Sequence, residues 1–311
     1  MTSDMRNRVL IVLGTAALIA AMALFGDQTV LRFATRVAIY ALAAVAVDIV
    51  LGYAGLVSLG HAAFFGLGAY VTGSLALLGY NEGVLVWPLA IAAATLAALI
   101  IGALSLRTSG VYFIMVTLAF AQMFFYAANA VPGLGGADGF RIPGRNTLAG
   151  FSIQDGRTFF LICAFALLLV LFFARRAADA AFGTTLRAAR DDEMRAGASG
   201  IVSYKLRLAA FTLSGAIAGL AGVLAANLTL YIAPSSTLSW HLSAELLVMV
   251  ILGMAGTLYG AVVGAALYMI LVEIISHYTA YWALFVGIAI ILRVLLFRDG
   301  LLAGLRRMVG A

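Results

Sequence analysis

Ionisable side chains are scarce in the apolar parts of this sequence, so each one found there is a candidate for chemistry. Asp48 lies towards the end of the otherwise uncharged run 37–53. A carboxylate in such a place either lines the path of a polar solute or caps and pairs structurally, here beside the glycines at 52 and 55. Both interpretations of Asp48 stay open on the residues alone.

Uncharged polar side chains form a second set of candidates, because they can pass a zwitterionic solute without trapping it. Gln122 and Asn129 lie seven residues apart, on one face of a helix. They either line a path or hydrogen bond to other helices. Ser58 and His61 lie in a glycine-rich stretch, where we expect a neutral histidine that is hydrogen bonded to a backbone carbonyl, with a place in the path as the alternative.

The sequence contains no motif for binding phosphate or a metal ion. A P-loop requires lysine followed by serine or threonine, but the only lysine, Lys205, is followed by leucine. Gly66 and Gly68 are followed by Val71 where a dinucleotide fold needs a third glycine, and the three histidines are scattered. We therefore expect no enzyme activity, no catalytic residue, no cofactor and no metal. The lone Cys163 excludes a disulfide framework.

Composition indicates which elements position these residues. Of 311 residues, 64% are apolar or aromatic and 10% are charged, whereas soluble domains are about half apolar and a quarter charged. An apolar helix of about 20 residues crosses a bilayer. The sequence therefore predicts an all-α polytopic membrane bundle in a single domain, 1–311, with about ten spans: 9–25, 37–53, 59–80, 84–106, 111–131, 159–174, 208–227, 238–254, 257–276 and 278–292.

Two uncharged runs, 49–81 and 246–272, are too long for one span each, and each contains a glycine pair that can turn the chain. If both runs split, 14 of the 19 basic residues lie on one side of the membrane, as the positive-inside rule requires of the cytoplasmic side. Fusing the second run would move the last four arginines outside. We therefore expect both termini inside, and membrane orientation rather than nucleic-acid binding explains the net charge of +6.

The inner connection 175–207 is far longer than the others and concentrates charge. A helical stretch at 183–190 is followed by an N-cap at Asp191 or Asp192, a helix of about two turns and a stop at Gly200. So short a helix persists only when it packs on something else. A docking surface and a solvated or lipid-bound charged loop are the alternatives.

Four motifs stand out in the chain: G-Y-A-G-L-V-S-L-G-H-A-A-F-F-G-L-G-A-Y at 52–70, which is the most specific, then R-T-S-G-V-Y-F at 107–113, T-L-A-F-A-Q at 117–122 and G-G-A-D-G at 135–139. These motifs resemble the LivM-type permease subunits of branched-chain amino acid ABC importers. The resemblance implies one half of a translocation pathway in the bacterial inner membrane. It also implies a second permease subunit as a heterodimer partner, two ATPase subunits that bind the ATP, and a periplasmic or extracellular solute-binding protein.

The same resemblance makes 175–207 the loop that carries the coupling helix into a groove of the ATPase. The residues expected to couple are Arg187, Arg190, Asp191, Asp192, Glu193, Arg195 and Gly200. The outer segment 132–157 is expected to contact the solute-binding protein. An ion-coupled transporter that uses Asp48 is the rival interpretation, and urea, amides or aromatic acids are alternative solutes.

Overall fold

The computed structural model describes residues 27–279, 281, 283–288 and 291. It is an all-α bundle in which long antiparallel helices alternate with short connections. The helices are α1 (Gln28–Asp48), α2 (His61–Leu77), α3 (Gly83–Ser105), α4 (Val111–Ala130), α5 (Gly156–Asp179), α6 (Ala181–Asp191), α7 (Glu193–Ala198), α8 (Ser203–Thr229), α9 (Pro234–Thr237), α10 (Trp240–Gly253) and α11 (Leu258–Tyr278).

Seven of these helical stretches are long and apolar enough to cross a membrane, and α2 is a shorter apolar helix. The chain is therefore a multi-pass membrane protein. The predicted span 9–25 lies outside the described residues, and only parts of the predicted span 278–292 are described.

Both long apolar runs are broken where the glycine pairs predicted a turn. In the first run, α1 continues into one π-helical turn, Ile49–Tyr53, and the chain then leaves the helix until His61. In the second, α10 ends at Gly253 and α11 begins at Leu258. Gly55 and Gly256 have φ of +71° and +82°, a left-handed conformation that glycine adopts without a steric penalty.

The first described helix begins nine residues before the predicted start at Val37, because our prediction followed the absence of charge. Arg32 and Arg36 are exposed, while Leu31 and Thr35 on the opposite face are buried. The helix therefore continues through charged residues whose long side chains reach outwards.

The core of the bundle lies around α1 and α8. Residues 41–46 of α1 are fully buried, and α8 packs against α1, α2 and α3. Glycine allows α8 to cross α2 closely, since a Cβ at Gly222 would lie 1.8 Å from the Phe65 carbonyl oxygen. Small residues at such crossings let membrane helices approach closely.

The segment between α4 and α5 carries structure that the sequence did not predict. It contains 3-10 turns at Pro132–Leu134 and Gly136–Asp138 and the short strands β1 (Phe140–Arg141), β2 (Thr147–Leu148) and β3 (Phe151–Ser152). Strand β2 pairs with β3, and β1 pairs antiparallel with β4 (Tyr231–Ile232), which follows α8.

Candidate functional site

Two turns with the same sequence pattern, L-G-x-A-G, meet at one end of the bundle. We call residues 51–55 the first turn and residues 252–256 the second turn. Their backbones touch at glycine: a Cβ built on Gly52 would lie 2.2 Å from the Gly256 nitrogen. A side chain at position 52 would therefore separate the two turns.

Asp48 joins the same two turns. Its side chain is completely buried, and its Oδ1 accepts a hydrogen bond of 2.6 Å from the Gly256 amide. Its Oδ2 has no hydrogen-bond partner among the described residues. Asp48 thus forms a structural hydrogen bond, which was one of its two predicted roles. The glycine that it binds belongs to the second turn and not to the first. Its place in the translocation path stays a prediction.

Helix α6 packs against the first turn. Leu186 and Ala189 are buried on its inner face, and Leu186 borders a small cleft with Ile49 and Tyr53. Arg190 donates from Nη1 to the Gly52 carbonyl oxygen at 2.5 Å. The Arg187 guanidinium lies 5.5 Å from the centre of the Tyr53 ring, within the range of a cation–π contact.

The charged segment around α6 and α7 folds on itself much as its sequence predicts. Asp192 caps α7 by accepting from the Arg195 amide at 3.0 Å. Glu193 Oε2 lies 2.9 Å from Arg207 Nη1 of α8, while Asp191 lies 2.7 Å from Arg190 Nη2. Ser199 is the C-cap of α7, and the next residue, Gly200, has φ of +82°.

The outward surface of α6 and α7 exposes one large hydrophobic side chain. Met194 at the start of α7 is 87% exposed, and the adjacent Arg195 side chain is 90% exposed. A flexible thioether between charged groups is typical of adaptable binding surfaces. The segment is thus anchored on its inner side and available on its outer side.

His61 lies at the start of α2 in a buried polar chain. Its Nε2 is 2.8 Å from the Ser214 hydroxyl oxygen, which itself donates to the Ala46 carbonyl at 2.5 Å. Because Ser214 gives its one proton to that carbonyl, Nε2 must be the protonated nitrogen that donates to Ser214. The Ser214 hydroxyl is thus a partner of His61 that the sequence did not predict, and the neutral histidine hydrogen bonded to a backbone carbonyl stays a prediction.

Ser58 also has a local partner, since its Oγ accepts from the Gly60 amide at 3.2 Å. On α4, Asn129 donates to the Phe125 carbonyl of its own helix at 2.8 Å, and both Gln122 and Asn129 are half-buried. Asp48, Ser58 and His61 lie near one end of the bundle and Asn129 near the other. The described structure therefore does not gather the predicted path residues into one pocket, and their transport role stays a prediction.

Three polar residues that position this site were missed by the sequence analysis. Ser243 of α10 accepts a hydrogen bond from the Ala62 amide at 2.8 Å. It caps the start of α2, because Gly60 has no side chain that could do so. Thr117 of α4 accepts from the Leu59 amide at 3.3 Å, and Ser214 orients His61. Each is a hydroxyl group inside an apolar run, which is the signal that could have identified them.

Comparisons with known proteins find a family model and relatives with similar sequences. Residues 29–295 match the family model for the permease component of branched-chain amino acid transport systems. The chain is 29% identical over 296 residues to the high-affinity branched-chain amino acid transport system permease protein LivM of Salmonella typhimurium, an alignment that covers 86% of this chain and 69% of the relative. The LivM protein of Escherichia coli gives the same identity and coverage. No solved structure matches the chain significantly.

Proposed function

Because the chain belongs to the family of permease components of branched-chain amino acid transport systems, and so is a permease subunit of an ABC importer, we propose that it forms one half of the pathway for branched-chain amino acids. The relatives LivM are named for that transport. Urea, amides and aromatic acids remain alternative solutes. A second permease subunit supplies the other half, and a solute-binding protein on the outer side supplies most of the selectivity.

The proposed orientation has ten spans with both termini in the cytoplasm of a bacterial inner membrane. Its support is the distribution of arginine and lysine, which favours the side that carries α6 and α7. In this orientation both L-G-x-A-G turns lie at the cytoplasmic end and the segment between α4 and α5 lies outside. The whole chain then forms one transmembrane domain.

Coupling to ATP is the central part of the proposal. The chain lacks a P-loop lysine motif, so two separate ATPase subunits bind the nucleotide and this subunit needs no cofactor of its own. Helices α6 and α7 present Met194 and Arg195 to the ATPase. Arg187, Arg190, Asp191, Asp192, Glu193 and Gly200 hold the segment in shape and against the first turn.

One observation carries this proposal: the hydrogen bond from Arg190 to the Gly52 carbonyl oxygen. It connects the segment that faces the ATPase directly to the backbone where α1 ends. A movement of α6 is thereby passed to the core helix of the bundle and not only to a flexible loop. The bond is charge-assisted, and such bonds contribute about 1.5–3 kcal/mol.

The test is uptake of radiolabelled leucine into proteoliposomes that contain both permease subunits, the ATPase subunits and ATP, with the binding protein added outside. Replacing Arg190 by methionine removes the guanidinium group and its hydrogen bond and keeps an unbranched apolar side chain. We expect uptake per ATP hydrolysed to fall at least tenfold, since the lower end of that range, about 1.5 kcal/mol, corresponds to slightly more than a factor of ten.

The matched control is Arg176→Met, because Arg176 is an exposed arginine of the same segment that forms no ion pair with the described residues. This variant should transport as the unmodified chain does. Uptake that continues without the ATPase subunits, driven by an ion gradient, would contradict the whole proposal. An unchanged ratio of uptake to hydrolysis in Arg190→Met would contradict only the coupling role of Arg190.

A further inference from the structure

A cavity of about 560 Å³ opens at the end of the bundle opposite to the two turns. It lies between the start of α1, the start of α5 and the loop before α5. Charged residues of both signs line it: Arg32, Arg145 and Arg157, with Asp27 and Asp155. None of these charged residues takes part in the proposed coupling to ATP.

The arginine at the back of the cavity is fixed in place. Arg145 donates from Nε to the Asn227 carbonyl at 3.1 Å and from Nη1 to the Gln154 carbonyl at 2.8 Å, and its guanidinium lies 4.5 Å from the centre of the Phe159 ring. Burial lowers the pKa of Arg145 from its usual value, and the nearby Arg32 lowers it further. Repulsion between the two guanidinium groups favours an anion next to Arg32, while Asp155 partly offsets that repulsion at Arg145.

The carboxylates give the cavity a second, opposite preference. Asp27 precedes α1 and does not cap it with its side chain. Asp155 caps α5 through one oxygen, Oδ2, which accepts from the Thr158 amide at 3.3 Å. A purely anionic ligand would meet these two carboxylates, whereas a ligand with an anionic and a cationic group satisfies both sets.

An apolar stripe continues from the cavity along α5. Arg157, Leu161 and Phe165 follow each other at intervals of four residues, which places them on one face of the helix. Leu161 and Phe165 are 49% and 66% exposed. One leaflet is about 15 Å deep, or about ten residues of helix, so this stripe runs into the same leaflet in which the cavity opens.

We propose that this cavity binds the phosphoethanolamine headgroup of a membrane phospholipid, with the phosphate at Arg32 and Arg157, the ammonium group at Asp27, and an acyl chain along Leu161 and Phe165. Arginine side chains bind phosphate oxygens through charge-assisted hydrogen bonds. The mixed charge favours a zwitterionic over an anionic lipid. The inference does not depend on ATP coupling or on the identity of the transported solute.

The test measures binding of dioctanoyl phosphatidylethanolamine and dioctanoyl phosphatidylglycerol to the full chain in detergent, by the concentration dependence of its thermal unfolding. We expect the ethanolamine lipid to bind more tightly. The double variant Arg32→Gln with Arg157→Gln should weaken both lipids at least tenfold, because each substitution removes a charge-assisted contact to phosphate. The exposed Arg141 outside the cavity supplies the control, and Arg141→Gln should leave both affinities unchanged.

Asp27→Asn tests the recognition of the ammonium group. It should remove the preference for ethanolamine while keeping the affinity for the glycerol lipid. If the double arginine variant binds both lipids as tightly as the control, the proposal is wrong.

Free phosphoethanolamine distinguishes the headgroup from the whole lipid. It should bind far more weakly than the lipid, and equal binding would exclude the acyl-chain contact. Loss of affinity for the solute-binding protein in the arginine variant, with lipid binding intact, would assign the site to acidic residues of that protein and overturn the lipid proposal. Competition by free leucine at the affinity of the lipid would equally overturn it.

Discussion

Replacing Gly52 by alanine is the sharpest perturbation of the two turns. The new Cβ would lie 2.2 Å from the Gly256 nitrogen and 2.5 Å from Asp48 Oδ1. Contacts of carbon with such atoms are ordinarily at least 3.4 Å, so the turns must separate by about 1 Å. That displacement stretches the 2.6 Å bond between Asp48 and Gly256 beyond the length of a hydrogen bond.

The expected cost has two parts. Overpacking in a tight contact costs about 1–3 kcal/mol. Loss of a hydrogen bond to a charged group adds about 1.5–3 kcal/mol. We therefore expect Gly52→Ala to destabilise the protein by roughly 2.5–6 kcal/mol and to lower ATP-driven uptake, because the first turn no longer packs against the second.

The measurement is thermal unfolding of the purified chain in detergent, together with uptake in proteoliposomes. Gly197→Ala on α7 is the matched control, because a Cβ there meets no atom within 4 Å and alanine favours a helix over glycine by about 1 kcal/mol. The control should unfold at the same temperature as the unmodified chain or slightly higher. A Gly52→Ala protein with unchanged stability and uptake would refute the tight contact between the turns.

Three further changes test other parts of the structure. Asp48→Asn keeps an acceptor for the amide of the second turn and should retain ATP-driven uptake. Asp48→Leu should lower the free energy of unfolding by about 1–3 kcal/mol, measured by thermal unfolding. Loss of gradient-driven accumulation in Asp48→Asn would instead support ion coupling. Asn227→Leu removes hydrogen bonds of 2.8 Å and 2.9 Å to Asn146, so limited proteolysis should cut the loop before α5 faster than in the unmodified chain. Hydrogen bonding to the Thr158 amide lowers the pKa of Asp155. The ionised side chain therefore stabilises the folded protein above the pKa of the unfolded chain, and this stabilisation is lost as the pH falls through the folded pKa. Between about pH 5 and about pH 3 the thermal midpoint should therefore drop less in Asp155→Asn than in the unmodified chain.

Local signals in the sequence were enough to place most helices and both turns. Glycine pairs in apolar runs predicted the breaks after Tyr53 and Gly253, and the charges around Asp192 predicted the short helix α7. These features depend on neighbours within a few residues, which the sequence displays directly. The start of α1 was wrong because exposed arginines do not stop a helix whose other face is buried.

Contacts between distant residues could not be predicted in the same way. Asp48 and Gly256 are 208 positions apart, and the carboxylate could equally have met an arginine or a water-filled path. The sequence also could not show that the Ser214 hydroxyl is the partner of His61, because the two residues are 153 positions apart. A polar residue in an apolar run indicates that a partner exists, but only the packing of the helices decides which residue it is.

The two turns have a mechanical consequence that follows from their being made of backbone. A contact between side chains can change rotamer and absorb a displacement, but Gly52 and Gly256 have no side chain that could do so. Arg190 attaches α6 to the first turn, and Asp48 attaches the first turn to the second. The second turn is itself locked to α11, since a Cβ at Gly253 would lie 1.7 Å from the carbonyl oxygen of Gly260.

A displacement of α6 should therefore move α1, α10 and α11 together, whereas α4 forms one side-chain hydrogen bond to another element among the described residues, the bond that Thr117 accepts from the Leu59 amide. We infer that the ATP-driven step moves these three helices as one body relative to α4. Spin labels on α1 and α11 should then keep their separation when ATP is added, while labels on α1 and α4 change theirs. If the distance between α1 and α11 changes as much as that between α1 and α4, the two turns separate during the step. The motion of α6 would then be transmitted through Arg190 to α1 and no further.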